Sequence, residues 1–429
     1  MTYPRMTAIT LTRKTAALLM LPVLFLICLL VTGCLAAPPN TDWATPTTAA
    51  STAGAGDEIQ NVLDTYGGAI TAKDRNQLAS VLDPQNPDFV RRQQEFLDRV
   101  QDVPFAQYQV RLVSRAGGAP GTITAKVDIS YRFQGSFSAL PEPRRAAFYL
   151  VKRQDGWKLS GDASQAALGK PSDAELWDLG TVRVVSGDHA LVMYHPGSED
   201  PATRVRDYLD AAYPRLVATL PGTNLPKVPV KVFDDKGQID LAFPGKWQEW
   251  TGGASRDLGD SAGQGGEIII AADLFQETAS SVPGYNRKMV GHELTHVALF
   301  PLTGDNTPPF LLEGLADYVA GENTVSLLKD KLSGGGSFSP SLRDLYQPSG
   351  FDVLLNTDAA ALAYEEADTA VAYLEKQYGN DKVLSLLQAF KKPDGAGSQD
   401  QRVDQAWRTV LGVSWDQFEQ DWRNYVLSQ

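Results

Sequence analysis

The decisive stretch is Met289-Val290-Gly291-His292-Glu293-Leu294-Thr295-His296-Val297-Ala298. Its apolar spacing predicts a helix over about 286–300, and two histidines four apart stand one turn above each other on such a helix. Both imidazoles can then reach a single ion, while Glu293 projects from the adjacent face toward the side where water would approach it. With only four histidines in 429 residues, the pattern is not a by-product of composition.

A catalytic zinc needs a third protein ligand and one open position. After a gap of sixteen residues beyond His296 comes Glu313-Gly314-Leu315-Ala316-Asp317, on a segment whose Leu311, Leu312, Leu315 and Val319 predict a helix with a buried face. A carboxylate beside that face is costly unless a cation compensates it, which makes Glu313 the candidate third ligand. Asp317, one turn on, is placed either to accept the second ring N–H of a ligating histidine or to sit solvated on the helix surface.

His292-Glu293-x-x-His296 followed by Glu313-Gly314-Leu315-Ala316-Asp317 resembles the gluzincin metallopeptidases, specifically the peptidase MA-like group, over about 178–429. The resemblance implies a thermolysin-like domain with Zn2+ held by His292, His296 and Glu313. It also implies that Glu293 acts as the general base, taking a proton from water as it attacks a peptide carbonyl. Families of this type place a Tyr or His beside the developing oxyanion. Tyr364 occupies the comparable position, its alternative being a core or surface tyrosine.

The resemblance further implies that the strand before the motif helix, here Glu267–Ala272, is a sheet edge that pairs with an extended substrate. No Gly-x-Met-Glu-Asn segment is present to hold a free amino terminus, although Glu267 sits in the comparable strand, so an endopeptidase is favoured over an aminopeptidase. A second reading keeps the fold as a zinc-holding binding or sensing module, and the intact Glu293 argues for the enzyme.

Outward toward the amino terminus, 175–429 is read as the peptidase domain, with a helical subdomain from about 340. Three stripes predict its helices: Ala367-Val371-Leu374-Tyr378, Val383-Leu384-Leu387-Phe390 and Trp415-Phe418-Trp422-Tyr425. His189 and His195 lie far from the motif and are read as structural or surface residues. Before them, 57–165 reads as an α+β unit: helices around Ile59–Ile70 and Asp88–Val100, then strands that include the alternating run Ile123 to Phe133. Helices followed by a curled antiparallel sheet resemble the nuclear-transport-factor-2-like fold, and no acid, base and nucleophile converge there, which favours a non-catalytic module. The expected fold class is therefore α+β throughout, in two domains joined by a linker at Ala163–Asp173.

Residues 1–33 carry Arg5, Arg13 and Lys14 before an apolar run, the pattern of an export signal. Val31-Thr32-Gly33-Cys34 resembles a bacterial lipobox, which implies a lipid-anchored, extracytoplasmic protein whose first mature residue is Cys34; the alternative is an uncleaved anchor. Residues 34–56, rich in Ala, Pro, Thr and Ser, read as a flexible tether reaching about 25 Å. Cys28 would leave with the signal, so neither a disulfide nor a thiolate metal site is expected. A net charge of −12, becoming −15 without those three cations, excludes a nucleic-acid partner and leaves a peptide or protein substrate and the membrane.

Overall fold

The computed structural model describes residues 53–137, 143–169, 174–243, 252–258, 265–275, 284–304, 307–321, 324–339, 341–346, 357–391 and 398–429. Cys34, the signal read at 1–33 and most of the tether lie outside the described residues. No described helix is long and apolar enough to cross a membrane.

The chain opens with α1 (Ala53–Ala72), which begins inside the stretch read as tether. Its Ile59, Leu63, Tyr66 and Ile70 recur at helical spacing and are all buried. Helix α2 (Arg75–Val81) is short and owes its start to Asp74, whose side chain accepts from the backbone N–H groups of Asn76 and Gln77 at 2.9 Å. Helix α3 (Pro87–Arg99) starts with Asn86 as cap and Pro87 in its first turn. Strands β1 (Phe105–Gly117), β2 (Thr122–Phe133), β3 (Arg144–Arg153) and β4 (Gly156–Asp162) then form an antiparallel meander in that order. The alternation read in β2 is realised: Ala125, Val127, Ile129, Tyr131 and Phe133 face the interior. The stretch read as linker contains a further helix, α4 (Ser164–Leu168), and is followed by the short α5 (Leu176–Leu179).

The second sheet has the order β5-β6-β7-β9-β8. Strands β5 (Arg183–Ser186) and β6 (Ala190–Tyr194) make a hairpin, and α6 (Glu199–Thr219) crosses to β7 (Val228–Phe233), parallel to β6. After α7 (Lys236–Ala242) come β8 (Gly253–Asp257) and β9 (Gly266–Ala271). Strand β9 lies between β7 and β8, so it is not an edge. Among the described strands the edge beside it is β8, which its sequence does not mark as a strand. Gly253-Ala254-Ser255-Arg256-Asp257 has no β-branched or aromatic residue, and it is extended because β9 supplies its antiparallel partner.

Both faces of this sheet are covered, which is why its central strands read as continuous apolar runs. Val192, Val230, Val232, Ile268 and Ile270 point to a helical layer of α6, α8 (Tyr285–Leu299) and α9 (Pro309–Ala320). Leu191, Met193, Phe233, Ile269 and Ala271 point the other way, into a core shared with Phe105, Tyr131 and Trp177. The two units are thus joined by a common hydrophobic core as well as by the chain.

Within that shared layer lie charges. Lys231, completely buried on β7, donates to Glu175 Oε2 at 2.7 Å and to the Tyr131 hydroxyl at 3.1 Å, and stands 2.9 Å from Glu267 Oε2. Arg256 on β8 pairs with the other oxygen of Glu267. Burial by itself raises the Glu175 carboxyl, but the charges of Lys231, Arg256 and Arg144 outweigh it and hold the group at about 2.

The remainder is helical: α10 (Val325–Ser333), α11 (Thr357–Tyr378), α12 (Asn380–Lys391), α13 (Gln399–Leu411) and α14 (Trp415–Ser428). Trp415, Phe418 and Trp422 of the predicted aromatic stripe are fully buried and Tyr425 partly so; Trp407 joins them in the core, and Phe310 of α9 packs edge-on against Trp415 at 5.5 Å.

Candidate metal centre

Helix α8 is buried nearly all round, with Val290, Leu294, Val297 and Ala298 in the core of the helical layer. Two glycines beside the motif set how closely its neighbours approach. A Cβ on Gly291 would come within 3.3 Å of Ala320 Cα, and one on Gly314 within 2.3 Å of the Ala367 carbonyl oxygen. The first lets α9 lie against α8; the second lets α11 lie against α9. His292, Glu313 and Tyr364 come together from three helices as a result.

The motif side chains converge on one point. His292 Nε2 and His296 Nε2 are 3.0 Å apart, and Glu313 Oε2 lies 3.3 Å from the first and 3.5 Å from the second. Among the described residues this is the one trio of His, Cys, Asp or Glu able to hold a metal ion. Zinc bonds of about 2.0–2.1 Å in a tetrahedron put ligand atoms about 3.3–3.4 Å apart. The triangle formed by these three donors has that size, and its side chains are 16–22% exposed, so one side stays open. The donor set fits zinc.

Asp317 Oδ1 accepts from His292 Nδ1 at 2.6 Å. That bond puts the ring proton on Nδ1 and leaves the Nε2 lone pair directed at the centre of the triangle. Burial alone would lower the His292 pKa; Asp317 first and Glu313 second reverse this and raise it well above the ordinary imidazole value. Glu313 is held far below the usual carboxylate range, burial being outweighed by His296 and His292. Concentrated negative charge around two imidazoles is the electrostatics of a cation site.

Glu293 is 8% exposed and does not belong to the triangle. Tyr364 of α11 stands beside the histidines, its ring centroid 6.3 Å from that of His292.

Other expectations fare differently. Glu267 does not reach this cleft: strand alternation sends Ile268 and Ile270 toward α8 and Glu267 to the opposite face, where it meets Lys231 and Arg256. His195 is buried, its ring nitrogens 3.2 Å from Asp234 Oδ2 and 2.9 Å from the Leu176 carbonyl oxygen, both of them acceptors. His189 stacks on Tyr213 at 3.5 Å. Both are structural.

Sequence reasoning overlooked Tyr285. It is 49% exposed, and partial burial, opposed by His292 and reinforced by Glu293 and Asp317, raises its phenol pKa. Its position seven residues before His292, on the same helix face, is the signal that could have found it.

The likenesses to solved structures include two loose ones. Leukotriene A4 hydrolase from Saccharomyces cerevisiae is similar over 72% of this chain and 68% of its own, at 11% identity and a TM-score of 0.31. A candidate aromatic ring hydroxylase from Novosphingobium aromaticivorans is similar over 24% of this chain and 81% of its own, at 15% identity and a TM-score of 0.19. Neither superposition is close enough to bear on the site. No curated protein matches the chain. Residues 224–428, the segment that carries His292, Glu293, His296, Glu313, Asp317 and Tyr364, match the Peptidase MA superfamily.

Proposed function

We propose that the protein is a zinc-dependent peptidase, and the observation that carries this reading is the triangle of His292, His296 and Glu313, with Glu293 next to His292 in the chain. Bound zinc supplies a Lewis acid that polarises the scissile carbonyl and acidifies water. The chain's own residues do the rest. Glu293 takes a proton from the attacking water and passes it to the departing amine, for which it must stand near the triangle without belonging to it. The Tyr364 hydroxyl donates to the carbonyl oxygen as negative charge develops there. Asp317 keeps His292 in the tautomer that presents Nε2.

An extended peptide would lie along β8 on the side away from β9, adding a strand to the sheet, and endopeptidase action remains the favoured mode. The first unit, helices followed by an antiparallel meander, is read as a nuclear-transport-factor-2-like module without chemistry of its own. Cys34 is read as the lipidated first residue, which holds the enzyme on the outer side of a membrane; mass spectrometry of the mature amino terminus should find a diacylglyceryl-cysteine there, and an intact Met1 would remove that part of the reading.

The test of the activity is metal analysis and cleavage of an unstructured protein by the purified protein. Wild type should carry one zinc and cleave. Glu293→Gln should keep the zinc and lose turnover, whereas Glu313→Ala should lose the zinc. A metal-free wild type at neutral pH, or cleavage undiminished in Glu293→Gln, would overturn it.

A further inference from the structure

Between α3 and the inner face of the first sheet lies a cavity of about 210 Å³. Protein interiors are close-packed and rarely leave voids larger than a water, yet this one has room for about seven waters at about 30 Å³ each. It occupies the place where a small α+β unit would complete its core. The usual filling is absent because the residues there are of the wrong kind for a dry core.

The walls are aromatic: Tyr66 from α1, Phe89 and Phe96 from α3, and Phe148 from β3. Set among them are three arginines, Arg92, Arg99 and Arg144, against two aspartates, Asp162 and Asp178. Arg144 is paired with Asp178, and one Asp162 oxygen accepts the Ser164 N–H at 2.7 Å. Arg99 has no carboxylate partner among the described residues, and its Nε is buried with nothing among them accepting from it. Leaving a charged donor so is costly unless an acceptor arrives from elsewhere. Arg92, exposed and one heptad before Arg99 on the same face of α3, stands at the mouth.

We infer that this cavity is a binding site for a small aromatic carboxylate, its ring held between Phe89, Phe96 and Phe148 and its carboxylate bonded to the Arg99 guanidinium. The cavity lies below the about 300–1,000 Å³ typical of pockets for larger ligands, which limits the occupant to a single ring with a short acidic group. Aromatic walls supply affinity without direction, and a guanidinium fork supplies the direction. Nothing in this site draws on the metal centre, so it stands whether or not the chain cleaves peptides.

The experiment is calorimetric titration of the purified protein with benzoate, its neutral analogue benzamide, and N-acetylphenylalanine. Benzoate should bind saturably at one site and benzamide about ten- to a hundredfold more weakly, the loss expected when a charge-assisted hydrogen bond is removed. Arg99→Met should weaken benzoate by a similar factor and leave benzamide unchanged. Ala146→Leu, which grows a side chain from the cavity wall, should exclude both while Arg99 stays in place. Glu293→Gln should bind as wild type does. Tighter binding of N-acetylphenylalanine than of benzoate identifies the acid as a peptide's carboxyl end, and weaker binding identifies it as a free aromatic acid. No saturation by benzoate below about 10 mM, or equal affinity for benzoate and benzamide, overturns the inference without reliance on any variant.

Discussion

Replacing Lys231 with Met tests the charged layer between the two sheets. The ammonium has three protons and meets three acceptors: Glu175 at 2.7 Å, Glu267 at 2.9 Å and Tyr131 at 3.1 Å. Lys231 and Glu267 are wholly buried, and the Glu175 side chain is 11% exposed. Methionine fills the volume of the stem and leaves two carboxylates with Arg256 as their main remaining cation. Removing one partner from such an arrangement costs about 3–5 kcal/mol. At about 2.1 cal/mol/K per residue, the folded part from Ala53 onward unfolds with an entropy of about 0.8 kcal/mol/K, so Tm should fall by about 4–6 °C. Calorimetry should show one transition in both proteins, because the core that contains Phe105 and Trp177 also contains Ile269 and Phe233. Adding Glu175→Gln to Lys231→Met removes the stranded charge, so the double variant should lose less than the two single variants together. Additive losses within about 0.5 kcal/mol, or two separate transitions in wild type, would refute the reasoning.

Three further outcomes are expected. Asp317→Ala frees His292 Nδ1 and should weaken zinc about 10–100-fold in a competition titration with a chelator, with the helical circular dichroism unchanged. Tyr364→Phe should lower kcat by about 10–1,000-fold at unchanged zinc content if its hydroxyl meets the oxyanion, and a wild-type rate would return it to a packing role. Glu175 binds its proton at about 2 in the folded protein and near 4.5 when unfolded. The unfolded chain therefore takes up the extra proton between those values, and the stability this group contributes is complete above about 5 and lost as pH falls toward 2. Glu175→Gln should flatten that part of an acid-unfolding curve.

The histidine pair was legible because its geometry is local: four residues along a helix are one turn wherever the helix goes. The same holds for the alternation in β2 and the stripe of α1. Closure of the site was less so. Glu313 could be proposed from its spacing and cost of burial, but its arrival within 3.5 Å of His296 depends on helix approaches set by Gly291 and Gly314. Strand β8 was illegible because nothing in Gly253–Asp257 favours extension; β9 imposes it. Glu267 was misplaced for a related reason. The run Glu267-Ile268-Ile269-Ile270 is buried on both faces, so its sequence does not tell which residues look toward α8. Helices α2 and α7 rest on single caps, Asp74 and Asp235, and lie below the length at which periodicity speaks.

The pairing of β6 with β7 bears on how this chain can be trimmed. The stretch that matches the Peptidase MA superfamily begins at residue 224, after α6 and just before β7. A fragment cut there keeps every residue of the metal centre but discards the strand bonded to β7 and the helix that lies over it. All six residues of β7 are buried in the intact chain. Exposed, they would be a bare apolar strand edge, able to recruit the same edge of another fragment. The smallest piece worth expressing is therefore set by the sheet and not by the motif, and it begins upstream of the hairpin that starts at Arg183.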